Sequence, residues 1–286
     1  MIPAGPRTPP SGADVTGSAD TGVAASGASA SGAARIAAAI SAARAAGRPA
    51  FAAFLTGGYP DLDRFPAHLD AVSAASDIVE IGVPWSDPMA DGATIQEASR
   101  VALLAGATLP YILESAARRR AGPPIVLMSY LNPLLAFGLR RVAAEARAAS
   151  VAGFIIPDLP CEEGEAFRNL CDEEGLALVQ MVTPATPDDR VATIGRASRG
   201  FLYAVTATGT TGGSVSAASD TLAYLDRVRA LVPVAVLAGF GVRTGRQVRD
   251  LAPHCDGVIV GSALVEAVGR GDDPGRFLRG LAEEAR

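Results

Sequence analysis

The sequence predicts an α/β protein, a (β/α)8 TIM barrel with an extra N-terminal helix and a disordered N-terminal tail. Three observations predict it. Eight short apolar runs of strand type recur at residues 50–56, 77–82, 124–130, 153–157, 177–183, 200–206, 233–239 and 256–261. Segments with helical period lie between them, among them 62–75, 93–104, 162–174 and 217–231. The runs are continuously apolar rather than alternating, as strands covered on both faces must be. Eight such units between residue 50 and the C-terminus fit a barrel of roughly 250 residues better than a doubly wound open sheet.

The elements follow in order. Residues 1–32 are Ala, Gly, Ser, Pro and Thr with three charges (Arg7, Asp14, Asp20) and no aromatic, too little apolar surface to offset the entropy of ordering. This segment is expected to be a tail, leaving 33–286 as a single catalytic domain. Residues 33–46 carry Ile36 and Ile40 one turn apart and stop at Gly47, a short amphipathic helix. The first strand ends in the tight turn Thr56-Gly57-Gly58-Tyr59-Pro60, and Arg118, Arg119 and Arg120 read as a solvated helix end.

Composition narrows the chemistry. The chain of 286 residues has a net charge of −5, and all 25 basic residues are arginine. Without lysine there is no Schiff-base aldolase, no covalent pyridoxal phosphate and no Walker A loop. Two distant histidines, His68 and His254, speak against a Ser-His-Asp triad and against a histidine-rich metal site, so no metal is expected. Cys161, Cys171 and Cys255 form no Cys-x-x-Cys pair, which fits a reduced compartment. With no membrane span, no secretory leader and no basic stripe for nucleic acid, the expected location is cytoplasmic.

In such barrels the site lies at the C-terminal ends of the strands, which directs attention to their last residues. Glu80 is a carboxylate flanked by Ile78, Val79 and Ile81. Burying it raises its pKa, as acid and base work at one carboxyl requires; the alternative is a structural partner for an arginine or for backbone amides. Asp91, in the polar loop after the same strand, is expected to stay ionised, and an Asp-Gly turn or a helix cap accounts for it equally well. Gly239-Phe240-Gly241 and Gly261-Ser262 each open a helix after the seventh and eighth strands, the usual place for a phosphate. No third glycine completes a dinucleotide fingerprint there. Residues 208–214, rich in glycine, suggest a mobile lid, while residues such as Tyr203 and Tyr130 are more often core side chains with a satisfied hydroxyl than catalytic groups.

These residues carry a resemblance. Glu80-Ile-Gly-Val-Pro-Trp-Ser-Asp-Pro-Met-Ala-Asp91-Gly, with Phe54-Leu-Thr-Gly-Gly-Tyr-Pro60, Met128-Ser-Tyr130-Leu-Asn132-Pro133 and Pro157-Asp158-Leu159-Pro160, resembles the tryptophan synthase α-subunit family. So do Tyr203 followed by Thr211-Gly212, Gly239-Phe240-Gly241-Val242 and Gly261-Ser262-Ala263. The likeness spans residues 33–285. It implies a lyase of tryptophan biosynthesis that cleaves indole-3-glycerol phosphate to indole and glyceraldehyde 3-phosphate. By that resemblance Glu80 takes the side-chain hydroxyl proton and serves in protonating the indole carbon, and Asp91 stabilises the positive indole nitrogen. Tyr203 assists near the reacting carbons, Phe54 and Tyr130 line the indole pocket, and Thr211 closes the lid onto Asp91. Gly212, Gly241, Gly261 and Ser262 hold the phosphate.

The resemblance also implies a β-subunit partner in an α2β2 heterotetramer, touching residues near 84–91, 132–137 and 158–163. Pyridoxal phosphate is then expected only in that partner, with no cofactor in this chain. Trp85 stands where the family more often has Phe, and Ala207 where some members carry Arg. Two other readings are a non-catalytic module that activates a β subunit and another phosphate-binding barrel of aromatic amino-acid biosynthesis.

Overall fold

The computed structural model describes residues 30–119, 121–206, 219–239 and 241–285. Its elements begin with α1 (Gly32–Ala45), β1 (Ala50–Thr56), α2 (Phe65–Ser73), β2 (Ile78–Gly82), α3 (Ala93–Leu104), α4 (Leu109–Ala117) and β3 (Ile125–Met128). There follow α5 (Leu131–Phe137), α6 (Leu139–Ala148), β4 (Gly153–Ile155), α7 (Glu165–Glu173), β5 (Ala177–Val182) and α8 (Asp188–Ala197). The last are β6 (Phe201–Val205), α9 (Ser219–Leu231), β7 (Ala235–Gly239), α10 (Gly245–Leu251), β8 (Gly257–Val260), α11 (Ser262–Gly269) and α12 (Pro274–Glu284).

The eight strands are parallel and close into a barrel in chain order, with β1 pairing β8 from Ala50 opposite Gly257 to Ala53 opposite Val260. Each strand lies in one of the eight apolar runs, and several are shorter than the run. The fourth stops at Ile155 because Pro157 has no N–H to donate and the Ile156 carbonyl turns to accept from Leu159.

Alternation along each strand sorts side chains into two sets. In β1, Phe51, Ala53 and Leu55 join the outer core under the helices, while Ala50 and Ala52 face the barrel interior with Ile78, Val126, Ile155, Phe201, Leu237 and Ile259. Ile36 and Ile40 of α1 belong to that interior cluster and are fully buried, so α1 closes the N-terminal end of the barrel. Ser31 caps α1 by accepting from the Ala34 N–H. The first 29 residues of the expected tail lie outside the described residues, whereas Ser31 and Gly32 form the cap and first turn of α1.

Three departures from the sequence reading have local causes. The segment after β2 holds two helices instead of one, because Gly106 at φ +90° ends the first and Thr108 caps the second. The segment after β3 likewise breaks at Gly138, φ +96°. Arg119 is not a solvated helix end: at 17% exposure it bonds Asp70 at 3.0 Å and the Leu69 carbonyl at 3.0 Å, pinning α4 to α2. Arg118 does sit outside, paired with Glu114, and Arg120 is outside the described residues. No helix among the described residues is long and apolar enough to cross a membrane.

Candidate active site

Glu80 stands in the middle of β2, opposite Phe54 of β1 and Val126 of β3. It shares the inward face with Ile78 one step below, so its carboxyl points into the upper barrel. It is 0% exposed, and neither carboxylate oxygen has a hydrogen-bond partner among the described residues. The pairing with an arginine or with backbone amides is thereby removed. Burial alone pushes its pKa up to about 8, leaving the carboxyl mostly protonated at neutral pH.

Asp91 does not occupy the polar surroundings expected of its loop. It is partly buried, and burial raises its pKa to about 6, against the opposing effect of a hydrogen bond from Tyr130. The Tyr130 hydroxyl accepts from the Ala90 N–H at 2.8 Å and donates to Asp91, so it fixes that carboxylate from behind. Gln96 of α3 donates to the Asp91 carbonyl at 2.8 Å and steadies the same turn. The two acids still differ as acid and base roles require, Glu80 neutral and Asp91 mostly charged at pH 7.

Tyr203 of β6 is buried beneath them. Burial first, and the charges of Glu80 and Asp91 second, raise its pKa well above the phenol value, so it remains a neutral hydroxyl. Its position explains a glycine: a Cβ at Gly239 of β7 would collide with the Tyr203 hydroxyl. Gly82 has the same meaning on the other side, where the Phe54 ring lies over its Cα.

One cavity gathers Glu80, Asp91, Tyr203 and Phe54 with Gly241, Gly261 and Ser262. Gly261 is the N-cap of α11 and Ser262 its first residue; the Leu264 and Val265 N–H groups bond back to the Gly261 carbonyl, which leaves the Ser262 amide at the cavity wall with no carbonyl one turn back to bond. Gly241, at φ +92°, turns the backbone beside it. An acid pair therefore faces an anion cradle across one apolar space.

Tyr130 is the exception among the expected pocket residues. It lines a neighbouring cavity that shares Phe54, Asp91, Ile95 and Met128 with the first, and acts on the main cavity through Asp91. Thr211 and Gly212, with the rest of the expected lid and Ala207, lie outside the described residues. Ile95, Met128 and Ile259 line the main cavity without having been singled out. Alternation could have found Ile259, two residues before Gly261 on the inward face of β8; nothing local marks Ile95.

The tryptophan synthase alpha chain family matches residues 40–285. A tryptophan synthase alpha chain of Pelobacter propionicus is 46% identical over 220 residues, 76% of this chain and 82% of that one. Tryptophan synthase of Mycobacterium tuberculosis superposes with a TM-score of 0.81 at 35% identity, covering 90% of this chain and 98% of that one. A structure of the tryptophan synthase α2β2 complex from Pyrococcus furiosus gives a TM-score of 0.77 at 36% identity, over 82% and 97% of the two chains. The matched span contains every strand and both acids of the cavity, and it extends over nearly the full length of the solved relatives. On those grounds the chain belongs to the tryptophan synthase alpha chain family.

Proposed function

We propose that this chain is a lyase of tryptophan biosynthesis, cleaving indole-3-glycerol phosphate to indole and glyceraldehyde 3-phosphate. The observation that carries the reading is Glu80, a fully buried carboxyl with no hydrogen-bond partner among the described residues, in the same cavity as Asp91 and the glycine cradle.

Breaking the bond between the indole ring and the glycerol chain needs an electron sink. The substrate supplies it once its ring carbon is protonated, because the positive charge moves to the ring nitrogen. Glu80, protonated at neutral pH, gives that proton. The carboxylate so bared takes the proton of the neighbouring side-chain hydroxyl as the carbon–carbon bond breaks and the aldehyde forms. One proton leaves Glu80 and one returns, so the residue ends in its starting state. Asp91, mostly ionised and held by Tyr130, offsets the charge on the ring nitrogen. Tyr203 donates as a neutral hydroxyl near the reacting carbons, and Phe54 and Met128 exclude water around the ring.

Gly241, Gly261 and Ser262 bind the phosphate through backbone amides and a hydroxyl, as helix N-termini do. Gly212 and Thr211 complete the cradle and the closure over Asp91 on the strength of the family resemblance. No lysine is required at any step.

The partner in this reading is a β subunit in an α2β2 assembly, and pyridoxal phosphate is the partner's cofactor. Two exposed apolar side chains at the barrel mouth support this: Met89 is 81% exposed and Leu135 is 52% exposed. Both fall in segments that the resemblance assigns to the contact, Met89 in the loop after β2 and Leu135 in α5. Incubation with indole-3-glycerol phosphate, with and without a β subunit, should release indole and glyceraldehyde 3-phosphate in equal amounts. Folded protein that releases neither in both conditions refutes the lyase reading.

A further inference from the structure

Glu266 lies in the second turn of α11, on the helix that Gly261 and Ser262 open. Its carboxylate collects donors from two other segments. Arg243, two residues beyond Gly241, meets it with a two-nitrogen fork: Nη1 reaches Oε1 at 3.2 Å and Nη2 contacts Oε2. Thr94, in the first turn of α3 and three residues after Asp91, donates its hydroxyl to Oε1 at 3.1 Å. The arginine is rooted as well, since its N–H donates to Gln247 at 2.8 Å and Gln247 closes the capping box of α10 with Thr244. None of Thr94, Arg243 and Glu266 is among the residues that line the cavity.

One carboxylate thus joins the three segments that bear Asp91, Gly241 and Gly261–Ser262. The hydrogen bond from Arg243 first, and that from Thr94 among lesser causes, hold the Glu266 carboxyl below its ordinary value, so it stays charged wherever the enzyme works. As a half-exposed ion pair the contact adds little to global stability. Its value is geometric, because a shift of about 1 Å in a bound substrate costs up to a hundredfold in rate.

We propose that Glu266 is a positioning residue that clamps the phosphate cradle to the Asp91 segment, so that one carboxylate outside the cavity sets the distance between substrate phosphate and acid pair. The proposal rests on the lyase reading of the site.

The test uses the full chain with Glu266→Gln, Arg243→Gln, Thr94→Val, Thr94→Ser and the Arg243→Gln/Thr94→Val pair. Steady-state kinetics with indole-3-glycerol phosphate is combined with calorimetric affinity for glycerol 3-phosphate and with thermal unfolding. Glu266→Gln should raise KM and weaken glycerol 3-phosphate about tenfold while lowering kcat several-fold. Arg243→Gln should act mainly on KM, and Thr94→Val mainly on kcat. Thr94→Ser should restore wild-type values, and the pair should lose no more than Glu266→Gln does, since both members act through one carboxylate.

KM, kcat and affinity all within twofold of wild type in Glu266→Gln overturn the clamp, whatever happens to Tm. A wild type that makes no indole either with or without a β subunit sinks the lyase reading by itself, and the clamp is then decided on glycerol 3-phosphate affinity. A wild type that also fails to bind glycerol 3-phosphate overturns both.

Discussion

Two buried carboxylates sit at opposite ends of the barrel. Asp256, just before β8 at the closed end, is 6% exposed and fully engaged: it accepts from the Val236 N–H at 2.8 Å, from Arg44 at 2.9 Å and from Arg229 at 3.3 Å. Asp77 repeats the pattern before β2, with the Phe51 N–H at 2.8 Å and both Arg48 guanidinium nitrogens. Glu80, three residues further along the chain, is more deeply buried and has no hydrogen-bond partner among the described residues. A buried carboxyl with a complete set of donors fastens strands; one left without them has its proton affinity raised and is available to a substrate. The difference separates the stabilising end of the barrel from the reactive end.

The largest expected effect would come from Glu80→Gln, which removes the proton donor while keeping the shape. Indole formation should fall about a thousandfold, while at neutral pH the variant should be no less stable than wild type, because it no longer has to keep a proton on a buried acid. Indole release that persists at the wild-type rate breaks the comparison at its reactive end. Asp256→Ala should do the reverse, costing on the order of 3 kcal/mol in urea unfolding because the Val236 N–H and two guanidinium groups lose their acceptor. The activity per folded molecule should survive.

Acidity sharpens the same contrast. Glu80 binds its proton more tightly folded, at a pKa of about 8, than at the ordinary 4.5. The native state therefore holds more protons than the unfolded one between those values, and stability should decline as pH rises from about 4.5 to about 8. Unfolding curves at pH 5, 6.5 and 8 should show that decline in wild type and a shallower one in Glu80→Gln; identical slopes would mean that Glu80 titrates normally. Indole formation should also fall above about pH 8 as the donor proton is lost. The smallest effect is Ser31→Ala, which unties the cap of α1 and should lower stability by about 1 kcal/mol without altering KM.

Much of this was legible in the chain. Ile36 and Ile40, one turn apart, mark the α1 face that fills the barrel end. Glu80 stands out because a carboxylate breaks an apolar run, and glycines at the ends of β7 and β8 mark the cradle. What stayed hidden depends on contacts distant in sequence. Asp91 is hydrogen-bonded by Tyr130, 39 residues away. Arg119 looks like any surface arginine until Asp70 and the Leu69 carbonyl meet it. Asp77 and Asp256 read only as the first residues of two apolar runs, because the donors that hold them come from other segments. Glu266 is invisible for the same reason, since Arg243 and Thr94 reach it from two other segments.

The α1 plug has a consequence for traffic. With Ile36 and Ile40 sealing one end and the interior filled by side chains below Glu80 and Tyr203, the cavity is a blind well with one opening. Substrate arrives and both products depart past the same rim, where Met89 and Leu135 are exposed. A protein seated on that rim would receive directly whatever leaves the well, and would also decide when the next molecule enters.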